Sequence, residues 1–175
     1  VFFDEGDPSG YNLSKVAKSY LAGLLKYAPE FTLVTNQYVN SYKRLAGGFE
    51  TPLHLAWGRS NRTALVRVPG YKPNKESACR LEMRSPDAAA NPYLAFACML
   101  AAGLKGIEDG LEPPAPVGSE DLYQLSREEL AERGIRMLPL NLGEAIELFE
   151  GSELMREVLG DYIHRFLVYA KRAEW

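Results

Sequence analysis

The apolar spacing of this chain changes period twice along its 175 residues. From Asn12 to Ala28 it follows a helix: Val16, Tyr20 and Leu24 recur every four residues, with Leu21 and Leu25 beside them. Pro29 is expected to stop that helix. Residues 34–45 lack the helical period and read as strand or loop. Residues 46–52 hold two glycines and a proline and read as a loop. Strand candidates follow at 53–57, 62–69 and 78–85. Helical spacing returns at Asn91, a good N-cap, with Pro92 at the first helical position where its missing N–H costs nothing. Leu94, Ala97, Cys98, Ala101, Leu104 and Ile107 are the expected buried stripe, and Gly110 the end. Residues 111–118 form a stiff proline-rich connector. Helices are expected at 126–133, 141–150, 152–159 and 161–173, with Ser126 and Glu129 as a capping box. No two-residue hairpin signal joins the strands, so their order is not readable.

Composition narrows the class. Apolar residues make up 46% and charged residues 25%, with a formal net charge of -3. These are ordinary globular values, and the length suits one domain or a large piece of one. No apolar run approaches the roughly 18 residues a membrane span needs. Cys79 and Cys98 sit among apolar neighbours, which excludes a disulfide framework and fits reduced thiols in a cytoplasmic protein. The chain opens on Val1 and closes on Trp175 inside a helical pattern. Both ends look cut, so a fragment of a longer polypeptide is expected.

Charge is concentrated. Residues 41–84 hold nine bases and three acids, whereas 108–175 hold fifteen acids and seven bases. A basic centre in an acidic frame points to a local anion site rather than a nucleic-acid surface. The plain alternative is a solvated, ion-paired surface. Within the basic stretch, Arg80, Glu82 and Arg84 share one face of a strand, and Cys79, Leu81 and Met83 the other. Guanidiniums grip carboxylates and phosphates, and a carboxylate between them can hold Mg²⁺ or Mn²⁺. An on-strand ion-pair ladder fits equally well. Arg62 and Arg67 are five apart, so they reach one site only if Arg62 stands at the strand's entry. Glu50 lies in the glycine-rich loop, where a carboxylate can serve as base or lid group. His54 and His164 lack metal spacing and read as structural. No phosphate-binding glycine motif is present.

Three blocks resemble glutamine synthetase of the type I, bacterial-like class. They are Asn40-Ser-Tyr-Lys-Arg44-Leu-Ala-Gly-Gly-Phe-Glu50-Thr-Pro52, Asn61-Arg62-Thr-Ala-Leu-Val-Arg67-Val-Pro69, and Arg80-Leu-Glu82-Met-Arg84-Ser-Pro-Asp87-Ala-Ala-Ala-Asn91-Pro92. The resemblance covers residues 1–175 and implies the carboxyl-terminal portion of the catalytic domain. The amino-terminal domain and the first half of the catalytic domain are not in it. The fold the resemblance implies is α+β: part of an antiparallel, saddle-like β-sheet backed by helices, with a helical carboxyl-terminal region, akin to guanidino kinases.

The implied activity joins ammonia to the γ-carboxylate of L-glutamate at the expense of ATP, through a γ-glutamyl phosphate. Mg²⁺ or Mn²⁺ is the implied cofactor. Arg44, Glu50, Arg62 and Arg84 correspond to glutamate-binding residues, and Glu50, Arg62 and Arg84 to catalytic ones. Arg62, Arg67 and Arg80 correspond to ATP contacts, and Glu82 to a metal ligand. Tyr123 falls where some bacterial members carry an adenylylated tyrosine, although its flanks look like the subgroup without that control. Two departures stand out: Ser77 replaces a basic nucleotide contact, and Ala46-Gly47-Gly48 replaces the usual flap entry. The family's remaining metal ligands lie upstream, so the isolated chain is expected to be inactive. The parent is expected to be a ring-forming homo-oligomer, a dodecamer in the family, with small-molecule substrates and no nucleic-acid or membrane partner. The rival readings are a ligase using another amine, such as a polyamine, and a non-catalytic relative.

Overall fold

The computed structural model describes residues 1–46, 51–59 and 61–175. Helix α1 (Lys15–Thr35) is its central strut, capped by Ser14, whose side chain accepts from the Ala17 amide. It does not stop at Pro29 as the sequence predicts. A proline inside a helix removes one hydrogen bond and costs about 3 kcal/mol. Beyond it, however, Phe31, Leu33 and Val34 are all core residues. Their burial offsets that cost, at roughly 1.5–3 kcal/mol for each large side chain. Residues 34–45 are likewise not strand: α2 (Val39–Leu45) buries Ser41, Tyr42 and Leu45 on one face. Seven residues are too few to display a helical period in sequence.

Strands β1 (His54–Gly58), β2 (Ala64–Arg67) and β3 (Glu82–Met83) form one sheet in that order. Among the described residues the sheet is mixed: β2 and β3 are antiparallel, whereas β1 and β2 are parallel. The expectation of an antiparallel sheet therefore fails at β1–β2. The reason lies in Asn61, which is buried. Its amide donates to the Gly118 and Glu120 carbonyls at 2.9 and 2.7 Å, and its Oδ1 accepts from the Thr63 and Ala64 amides. The chain is thereby carried across to the 118–120 segment before it re-enters the sheet beside β1. The other edge of β1 is covered by residues 136–138, through Leu55 N to Arg136 O and Leu138 N to Leu53 O.

Helix α3 (Pro92–Glu108) has the predicted Asn91 cap, whose side chain accepts from the Tyr93 and Leu94 amides. Its buried face is rotated from the predicted stripe: Cys98 is buried as expected and Leu94 packs on the core, but the fully buried positions are otherwise different ones. Ala95, Cys98, Ala102, Gly103 and Gly106 face the core, while Leu104 is exposed. Small residues win because α1 and α3 approach closely: a Cβ on Gly23 would overlap the Ala102 carbonyl, and one on Gly106 the Ser19 carbonyl. The 111–118 connector is docked by Trp57, whose Nε1 donates to Pro114 O at 2.7 Å. Helices α4 (Arg127–Glu132), α5 (Leu142–Glu150) and α6 (Glu153–Glu174) follow. The predicted capping box is present, with the Ser126 amide donating to Glu129 and the Glu129 amide to Ser126. Gly160, at φ 76° and ψ 154°, breaks α6 where the sequence predicts two helices. Phe149 and Met155 close the core against α1. No helix among the described residues is long and apolar enough to cross a membrane.

Candidate active site

The charged row predicted on the third strand is real but is built differently. β3 holds only Glu82 and Met83, and Glu82 is the register partner of Arg67 on β2. Arg67 Nη2 donates to Glu82 Oε2 at 2.9 Å, and Arg84 Nε stands 3.8 Å from Glu82 Oε1. One carboxylate thus lies between a guanidinium from β2 and one just past the end of β3. The pair is 37% exposed at both side chains, so its strength as an ion pair is modest and its charge is open to solvent. Arg67 Nε is buried and has no hydrogen-bond acceptor among the described residues. An unsatisfied buried donor is costly.

Arg62 precedes β2, as required if it is to join Arg67 at one site. Its carbonyl accepts from Arg84 Nη1, which also reaches Ala64 O at 3.3 Å. Arg44, in the last turn of α2, donates through Nη2 to the Ser85 carbonyl. Ser85 is buried and links the row to α1, since Asn36 Nδ2 donates to the same carbonyl at 2.9 Å. The Asp87 amide donates to Thr35 O at 2.9 Å. The Ser41 hydroxyl and the Ala89 amide hold the Asp87 carboxyl below the usual carboxylate range, against partial burial, with the Arg44 charge adding to the effect. Arg44, Arg62, Arg67, Glu82 and Arg84 are therefore tied into one connected patch. Arg80 is not: it lies before β3, is exposed, and donates locally to Ala78 O. The alternation that placed it beside Glu82 fails because the ladder does not extend that far.

Glu50 lies outside the described residues. His54 and His164 are both buried. His54 packs edge-on against Tyr123 at 4.8 Å, and His164 stacks on Phe149 at 4.6 Å. Burial pushes the Cys98 thiol up to about 12, which fits a reduced, unreactive core cysteine. Sequence reasoning missed the Ser85 carbonyl and the Asn61 side chain. The only sequence signal for either was a polar residue next to the basic row, and backbone acceptors leave no mark in sequence.

The likeness to known proteins extends over the whole chain. The family described as "Glutamine synthetase, catalytic domain" matches residues 1–175. The chain belongs to this family. It is 48% identical to the glutamine synthetase of Mycolicibacterium smegmatis, over 98% of this chain and 40% of that protein. It is 46% identical to the glutamine synthetase of Methanosarcina mazei, over 100% of this chain and 38% of that protein. Among solved structures it resembles GmaS in an ADP complex, with a TM-score of 0.82, 38% identity, and coverage of 99% of this chain and 38% of that one. The chain spans about 40% of the length of the glutamine synthetases it matches.

A divalent metal would need oxygen ligands in numbers this patch does not supply. No group of three or more His, Cys, Asp and Glu side chains comes together among the described residues. Glu82 offers one carboxylate, already facing two guanidiniums. Mg²⁺ and Ca²⁺ sites take about six oxygens, from several carboxylates, carbonyls and waters. Glu82 can be one ligand of such a site, but these residues do not form one alone.

Proposed function

We propose that this chain is the carboxyl-terminal, anion-handling part of a glutamate–ammonia ligase. The observation that carries the reading is the Arg67–Glu82–Arg84 row, held in register across β2 and β3 with Arg44 and Arg62 tied to it. In this reading the enzyme transfers the γ-phosphoryl group of ATP to the glutamate γ-carboxylate, and ammonia then displaces phosphate. Two anions must approach each other, so cations fixed beforehand lower the barrier. Arg44, Arg62 and Arg84 bind glutamate, while Arg62 and Arg67 meet the ATP phosphates. The exposed Arg80 is free of the row and reaches the nucleotide from outside it. Glu82 contributes one ligand to a Mg²⁺ or Mn²⁺ ion whose other ligands come from elsewhere in the enzyme. Glu50 belongs to the same site as a catalytic and glutamate-side carboxylate. The solved GmaS structure is an ADP complex, which supports an adenine nucleotide as a substrate in this reading.

The three strands, parallel at β1–β2 and antiparallel at β2–β3, are in this view one side of a larger, saddle-like sheet of guanidino-kinase type, and residues 1–175 the carboxyl-terminal part of one catalytic domain. In the same reading the enzyme is a ring-forming homo-oligomer of the cytoplasm; what the exposed apolar side chains support is a surface covered by a partner, through Tyr93, Phe96, Leu100 and Leu104 on α3 and Tyr162, Phe166 and Tyr169 on α6. Adenylylation of Tyr123 would have to displace the contacts its hydroxyl already makes.

The acceptor is tested by measuring ATP-dependent phosphate release by an enzyme of family length that contains this chain. Glutamate is supplied with ammonium and, separately, with methylamine and a polyamine. Ammonium is expected to give the highest kcat/KM. Higher kcat/KM with an alkylamine would move the protein to a γ-glutamyl ligase of another specificity, and the absence of phosphate release with every acceptor would favour a non-catalytic relative.

A further inference from the structure

Three contacts of the Tyr123 side chain converge on one atom. The tyrosine stands on a single helical turn, Leu122–Gln124, that is firmly seated. Leu122 is fully buried, its amide donates to Thr63 Oγ1 at 3.2 Å, and Asp121 caps the Tyr123 amide at 3.0 Å. The ring packs edge-on against buried His54 of β1. The hydroxyl is then 2.5 Å from Thr51 Oγ1, 3.2 Å from Thr51 O and 3.3 Å from Leu45 O. A phenol has one proton to donate and lone pairs to accept with. It can accept from the Thr51 hydroxyl and share its own proton between the two carbonyls.

Leu45 is the last residue of α2, which carries Arg44, and Thr51 begins the run into β1. One oxygen from a distant turn therefore joins two backbone points six positions apart. Ring packing alone would not need the hydroxyl, and solvent alone could satisfy it at this partly buried position. Neither explains why the oxygen meets both ends of the same segment, the one that contains Glu50.

We propose that Tyr123 is a positioning residue: its hydroxyl fixes the end of α2 relative to the start of β1, and so sets where Arg44 and the Glu50-bearing segment are attached. It touches no substrate. The role in catalysis rests on the ligase reading above, whereas the tie between Leu45 and Thr51 does not.

The test uses Tyr123→Phe, which keeps the ring against His54, and Thr51→Val, which keeps shape and loses only the Thr51 hydroxyl. Amide exchange is read without substrates in an enzyme of family length that contains this chain. In Tyr123→Phe, exchange in peptides covering 43–45 and 51–55 should rise about five- to tenfold, the scale of one net hydrogen bond. Exchange in α1 and α3 should not change. In an enzyme of family length, kcat for phosphate release should fall about five- to tenfold, with the ATP KM changed less than twofold. Thr51→Val should show part of both effects, and the double variant should be no worse than Tyr123→Phe, because the two groups act through one contact. Unchanged exchange at 43–45 and 51–55 in both variants overturns the tie. Increased exchange with unchanged kcat overturns its catalytic role. Full additivity of the two variants also overturns it, since the hydroxyls would then act separately. A wild-type enzyme inactive with every amine would overturn the ligase reading and the catalytic role with it, and the exchange result would still decide the tie.

Discussion

Charged side chains in this protein do two different jobs, and burial separates them. Glu82 is half open to solvent between Arg67 and Arg84, where its charge is available to a ligand. Asp7 is buried, and its charge serves the fold. Burial by itself would raise the Asp7 pKa. The Lys18 ammonium at 2.5 Å, the Ser9 hydroxyl and the Leu13 and Ser9 amides outweigh that and hold it well below the usual carboxylate range. A depressed folded-state pKa adds stability that is complete above the unfolded value of about 3.9 and is lost as pH falls toward the folded value. Stability should therefore fall below about pH 4, and Asp7→Asn should flatten that part of the profile. At neutral pH that substitution should cost about 2 kcal/mol, since it leaves Lys18 without its partner. Urea titrations between pH 3 and pH 7 measure both. The sequence pointed to Glu82, Arg67 and Arg84 by charge and spacing. It could not show that the partner of Glu82 across the sheet is Arg67 rather than Arg80 along the strand, because register is set by pairing and not by composition.

At the level of elements, caps and glycines were legible where the rule is local. Asn91, Ser126 with Glu129, and Gly160 all fall where the sequence put them. Gly160 has a backbone conformation that only glycine adopts readily. Gly160→Ala should destabilise the protein by about 1–3 kcal/mol in thermal or urea unfolding, with little change in secondary structure. What failed was decided by tertiary contact. Pro29 sits inside α1 because the residues after it are buried, and the α3 stripe is turned toward its small residues because α1 lies so close. Gly106→Ala should thus cost about 1–3 kcal/mol by overpacking, although alanine is the better helix former. Calorimetry of that variant distinguishes packing from propensity, since a gain in Tm would mean that the helices are free to separate.

For the whole molecule, the patch is connected but chemically partial. Glu82 is one carboxylate, and no metal-binding cluster forms among the described residues. The 175-residue chain by itself is therefore predicted to release no phosphate from ATP with glutamate and ammonium, to the detection limit of a coupled assay. The family could be read from three motif blocks, because each is a run of chemistry-bearing residues that local sequence preserves. The mixed sheet could not, because it depends on Asn61 bridging to residues 118–120, nearly sixty positions away. The central claim is that the Arg67–Glu82–Arg84 row handles the charge of the reaction. It is tested most directly by glutamine formation in an enzyme of family length carrying Glu82→Ala or Arg84→Ala, with folding checked by circular dichroism. Each variant should fold and lose at least about a hundredfold in kcat/KM, the usual scale for removing an electrostatic catalytic group. Either variant retaining activity within about threefold of wild type would contradict the account.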